Sequence, residues 1–137
     1  MFDTLLVGAG ANGAVHAAGT VINAGRVVLS TPGRAGSLSL QVGGVLQTGV
    51  VESGGGTASL VFNGGVLNAL ASPLVSVPVT IEPGGATIHT GGFDGTITGG
   101  LLGAGTLVKS GAGTLTLAGN NAAFAGNIIL NAGQITL

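Results

Sequence analysis

Short apolar runs that follow a glycine return along this chain at a step of about 20 residues, a period that marks stacked repeats. They stand at Gly25-Arg26-Val27, Gly44-Val45-Leu46, Gly65-Val66-Leu67, Gly85-Ala86-Thr87-Ile88 and Gly105-Thr106-Leu107, and no glycine-to-glycine step departs from that period by more than one. A unit that short cannot bury a core alone; it folds only by stacking on its neighbours. A second ladder, of similar step, runs through Leu38-Ser39-Leu40, Leu60-Val61-Phe62, Val79-Thr80-Ile81, Ile97, Leu115-Thr116-Leu117 and Ile135-Thr136-Leu137. Within the runs the pattern has period two, which puts Leu on one side of a strand and Ser or Thr on the other. The expectation is an all-β right-handed parallel β-helix (β-solenoid). It would have about seven coils of roughly 20 residues with three short strands each, a rod of about 30 Å.

The 29 glycines among 137 residues suit that reading. Collagen is excluded, because only 4 prolines are present and no strict every-third glycine. A long helix is excluded as well, since each interior glycine costs about 1 kcal/mol. Corners between short strands use glycine without that penalty. Pro73, Pro78 and Pro83 fall close together, so strand edges or corners, and a looser connection, are expected over 72–83.

Charge is scarce: 3 Lys and Arg, 4 Asp and Glu, net −1. Arg26, Arg34 and Lys109 are far apart, and there is no Trp or Tyr, so neither a phosphate-neutralising patch nor a base-stacking platform is available. No nucleic-acid partner is expected. The absence of Cys excludes disulfides and thiolate metal sites. Met1-Phe2-Asp3-Thr4 has no basic n-region, so an export signal would lie outside this chain. The apolar stretch 5–22 carries four glycines, Asn12 and His16, which reads as buried strands with turns and not as a membrane span.

Residues 11–16 and 22–25 resemble 119–124 and 130–133 at one constant offset, so that His16 takes the place of Phe124 and Leu29 that of Leu137. The internal similarity covers 9–29 and 117–137. The stretch 105–137, GTLVKSGAGTLTLAGNNAAFAGNIILNAGQITL, resembles the autotransporter-associated β-strand repeat, with a pattern close to G-T-L-x-K-x-G-x-G-T-L-T-L-x-G-x-N-x-Y-x-G. Lys109, Gly111, Gly113 to Leu117, Gly119, Asn120, Gly126 and Gly133 carry the match; Phe124 and His16 stand where the pattern has Tyr. The resemblance implies a secreted passenger or stalk at the bacterial cell surface, exported through a C-terminal barrel that this chain lacks. It also implies that 1–137 is a single β-helix segment of a longer passenger.

Candidate chemistry is sparse. The acids are Asp3, Glu52, Glu82 and Asp94; Glu52 and Glu82 are one and a half coils apart, which places them on different faces and leaves no acid pair for glycoside hydrolysis. His16 and His89 are far apart in the chain and lack an acidic cluster, so no metal or catalytic site is expected. Gly91-Gly92-Phe93-Asp94-Gly95 is similar to a calcium-binding nonapeptide but offers a single Asp. Thr96-Ile97-Thr98 and Thr114-Leu115-Thr116 are too few for a regular ice-binding array. Asn23, Asn63, Asn120 and Asn131 beside glycines read as turn residues that tolerate left-handed geometry and bond their own backbone.

The expectation is thus a structural scaffold that is not an enzyme, has no catalytic residues, cofactor or metal, and supports adhesion. The alternative is a solenoid whose copies stack end to end into filaments, because no cap is evident at Met1 or Leu137. A carbohydrate-active enzyme ranks third. Expected partners are neighbouring coils, further copies of the chain, and host or cell-surface ligands.

Overall fold

Alternation sends the aliphatic side of each short strand to one interior, and parallel pairing between successive coils keeps like positions in line. The computed structural model describes residues 2–8 and 10–137; Met1 and Ala9 lie outside the described residues. Among these, fifteen strands and no helix form a β-solenoid of about six turns. All the strand ladders are parallel.

Each coil visits three faces. Face one is made by the first parts of β3 (Val21–Leu29), β5 (Val45–Ser53) and β7 (Gly65–Val75), then by β9 (Ala86–His89), β12 (Leu107–Ser110) and β14 (Ile128–Leu130). Face two stacks β1 (Phe2–Val7) on the second parts of β3, β5 and β7, followed by β10 (Gly95–Ile97), β13 (Thr114–Leu117) and β15 (Gln134–Thr136). Face three holds β2 (Gly13–Ala17), β4 (Ala35–Gln41), β6 (Thr57–Asn63), β8 (Val79–Ile81) and β11 (Leu101–Gly103).

Inward residues form continuous columns. Leu5, Val27, Val51, Val75, Ile97 and Leu117 align on face two. Val15, Leu38, Leu60, Val79 and Leu101 align on face three, beside Ala17, Leu40, Phe62 and Ile81. These side chains merge into one buried cluster from Val7 to Leu117. Each fully buried Leu, Ile or Phe contributes about 1.5–3 kcal/mol by leaving water, so the columns are the main source of stability.

Several expectations change at the level of the coil. The register steps are unequal: Val21 pairs with Val45 and Phe2 with Ala24, whereas Gly95 pairs with Leu115. The longer early coils leave about six turns, against the expected seven. In coils built on β3, β5 and β7, two of the three strands are fused and bend at the corner. The bend shows as a phase slip: inward positions jump from Ala24 to Val27 and from Thr48 to Val51 instead of alternating. At the second corner Thr48 is buried, and its Oγ1 both accepts from Val50 N–H (3.4 Å) and donates to Val50 O (3.2 Å), which satisfies the bulged backbone.

The glycine ladder is mis-stepped at its first rung. Val21 pairs with Val45, so Thr20 stands in line with Gly44, while Gly25 sits in β3 at the corner beside Gly49. The second ladder joins two faces, since Ile97, Leu115 and Ile135 lie on face two and Leu38, Leu60 and Val79 on face three. Residues 72–83 are no looser connection: Pro73 occupies the irregular part of β7, Pro78 and Pro83 flank β8, and Val75, Val77, Val79 and Ile81 are buried. In the last coil Ile128 and Leu130 align with Leu107 and Lys109 but remain 40% and 49% exposed.

Candidate functional site

Among the described residues the acids do not converge. Glu52 points outward from face two and pairs with Arg26 of the preceding coil; Glu82 follows β8 on face three. Asp94 lies in an exposed corner, where its Oδ1 accepts the Thr114 N–H at 2.8 Å. One lone pair of the candidate calcium carboxylate is therefore used in joining two coils. Asp3 falls in β1, and its side chain is outside the described residues. The histidines are likewise separated: His16 is exposed on β2 of face three, and His89 on β9 of face one shares a 3.0 Å hydrogen bond with Ser110 Oγ. Among the described residues no three His, Cys, Asp or Glu side chains come together.

The asparagines work between coils more than within turns. Asn63 Oδ1 accepts Gly84 N–H at 2.9 Å and Asn121 Oδ1 accepts Leu101 N–H at 2.9 Å, each bridging to the adjoining coil. Asn120 does bond locally, to Ala122 N–H. Asn23 departs from the turn expectation: it lies mid-strand on face one, in the outward column Asn23, Gln47, Asn68, His89, and its Oδ1 is buried without a partner. Among the described residues other than glycine, Ser30 (φ 76°) takes the left-handed conformation, not an Asn.

His16 and Phe124 are not equivalent in space. Phe124 bridges to Gly103, in the inward column of Ala17, Leu40, Phe62 and Ile81, and packs on the core. His16 occupies the outward column next to it. A shift of one residue along a strand exchanges the faces, so the sequence offset and the spatial alignment differ by one at this point.

Lys109 is the unexpected core residue. It occupies the inward column of face one, in line with Leu46, Leu67 and Ile88, and is fully buried. Its Nζ donates to Ser110 O (3.0 Å), Gly111 O (2.8 Å) and Ala132 O (3.1 Å), tying two coils together. Burial pushes its ammonium below the ordinary lysine range. The short β12 pattern Leu107-Val108-Lys109-Ser110 already put Lys109 at an inward position by alternation, a signal the charge alone obscures.

Two adjoining depressions of about 320 and 580 Å³ open at the corner leading into face three, and share Asn12, Ala35 and Thr57. Positive-φ glycines Gly33 and Gly55 form the rim, which keeps it free of bulky side chains. Ala14, Ser37 and Ser59 extend the trough along the outward side of β2, β4 and β6; Ala14 aligns with Ser37 and Ser37 with Ser59. Arg34 stands at the second depression, exposed.

Among curated proteins, the chain is similar to "Adhesin BmaC autotransporter" of Brucella suis biovar 1 (strain 1330). The two are 31% identical over 96 residues, which are 69% of this chain and 3% of the relative. The chain therefore spans a very small part of the protein it is similar to. No family model matches, and no solved structure matches.

Proposed function

We propose that this chain is a non-catalytic scaffold segment of an exported autotransporter passenger, a stalk at the bacterial cell surface that supports adhesion. The observation that carries the reading is the apolar stack: coil after coil of inward Leu, Val, Ile and Phe merges into one cluster, interrupted among the described residues by Thr48 and Lys109, whose polar atoms bond to backbone. Such a stack propagates coil by coil, each edge templating the next, which suits a chain that folds as it emerges from a membrane pore. Similarity to part of an autotransporter adhesin supports the same setting. The dispersed acids support the non-catalytic part.

The test is display. Residues 1–137 are placed between an epitope-tagged signal sequence and an autotransporter barrel, and the epitope is probed on intact cells with antibody and protease. A scaffold carries the tag to the surface in folded, protease-resistant form. Retention in the periplasm, with the barrel inserted, sinks the proposal.

The exposed outer sides of β14 and β15 favour a second reading, in which a further coil of the same polypeptide or another copy packs there. Light scattering that stays monomeric as concentration rises removes self-association.

A further inference from the structure

We infer that the trough spanning β2, β4 and β6 is a binding site for a saccharide carrying a carboxylate, with Arg34 as its anion contact. The inference goes beyond the scaffold reading and stands without it.

Charge availability comes first. The chain has three cations; Arg26 is paired with Glu52, and Lys109 is buried on three carbonyls. Arg34 is exposed at a trough rim, and no described acid pairs with it. A guanidinium fork fits a carboxylate through two parallel N–H···O bonds.

Unused hydrogen-bonding groups come second. Asn12 Oδ1 accepts the Ala35 N–H at 2.8 Å, which fixes the amide and leaves Nδ2 without a partner among the described residues. The hydroxyls of Ser37, Ser59 and Thr57 have none either, whereas Ser39 is engaged by Gln41 and Ser30 by Ser53 and Gly56. These groups recur at the spacing of the coils, about 4.8 Å. The methyls of Ala14 and Ala35 provide small apolar ground between them. Short hydroxyls and an amide around small methyls complement a sugar ring, whose rim is hydroxylated and whose face is not.

Other ligands fit less well. β4 and β6, which carry Ser37 and Ser59, are paired on both sides, so an extended peptide would find a backbone edge only beyond β2, at the border of the trough. Among the described residues no aromatic side chain lines the trough for a nucleobase. The site is shallow and its contacts few, so binding is weak.

The test titrates the isotope-labelled chain with 3′-sialyllactose and, separately, with lactose, following backbone amide shifts by NMR. Expected are shifts confined to residues 12–14, 33–37 and 55–59, and a preference for sialyllactose of at least about tenfold. Arg34→Ala reduces that preference to within about twofold, and Arg34→Lys retains part of it, both with unchanged circular dichroism. No shift with sialyllactose at about 10 mM overturns the site, as does a preference that survives Arg34→Ala. Equal shifts with acetate or an acidic tripeptide overturn the saccharide assignment. None of these failures touches the display experiment.

Discussion

A methyl group on Gly113 would collide with the Phe93 carbonyl oxygen, whereas one on Gly92 meets nothing within 4 Å. The two glycines are alike in the sequence and unlike in the solenoid, because one lies against the backbone of the coil before it. Gly113→Ala is expected to cost about 2 kcal/mol or more, since backbone must move. Gly92→Ala is expected to be neutral or to stabilise by up to about 1 kcal/mol; urea unfolding of both distinguishes them. Lys109 offers a second residue-scale outcome. Its folded-state ammonium is easier to deprotonate than in the unfolded chain, so the unfolded state holds more proton as pH rises. Stability therefore increases with pH toward the ordinary lysine value of 10.5, and falls back at neutral pH, where both states are charged. Lys109→Met should change stability at pH 7 by less than about 1 kcal/mol, because lost carbonyl bonds offset the removed desolvation cost. It should also flatten the rise measured between pH 7 and pH 10.

At the scale of the element, a strand is stable because its inward side chains extend a column and its outward ones do not matter much. Phe62 is the largest fully buried side chain and sits mid-column between Leu40 and Ile81. Phe62→Ala is expected to cost about 3–5 kcal/mol in denaturant unfolding, against under about 0.5 kcal/mol for His16→Ala on the exposed side of β2. This much was legible from alternation: Ser37-Leu38-Ser39-Leu40 and Thr114-Leu115-Thr116-Leu117 bury their leucines and turn their hydroxyls outward. The corners were not legible. β3 runs on through Gly25 and Arg26 although Asn23 beside Gly25 reads as a turn, and the step from Ala24 to Val27 changes which residues face in. Lys109 was hidden for a related reason, since a charged residue on an inward position is assigned outward until its carbonyl partners, one from the next coil, are seen.

For the whole molecule, each coil contacts mainly its two neighbours, so stability is close to a sum of coil and interface contributions. Removing residues 126–137 should leave the earlier coils folded, with the β-sheet circular dichroism per residue retained and the melting temperature lowered by about 5 °C. Complete loss of the transition would mean that the last coil is required for folding and that the additive picture is wrong. By itself the sequence determined the class of fold: aliphatic residues recurring at strand period and at near-constant steps, with glycine between, have no other way to leave water than by stacking. Only the tertiary structure decided coil length, column membership and the convergence of Asn12, Arg34, Ser37, Thr57 and Ser59 on one trough. Side-chain chemistry states which residues seek burial, but which of them meet depends on register between coils of unequal length. That register is set by how much chain each corner absorbs, and corner geometry is a property of the packed stack, not of any short stretch of chain.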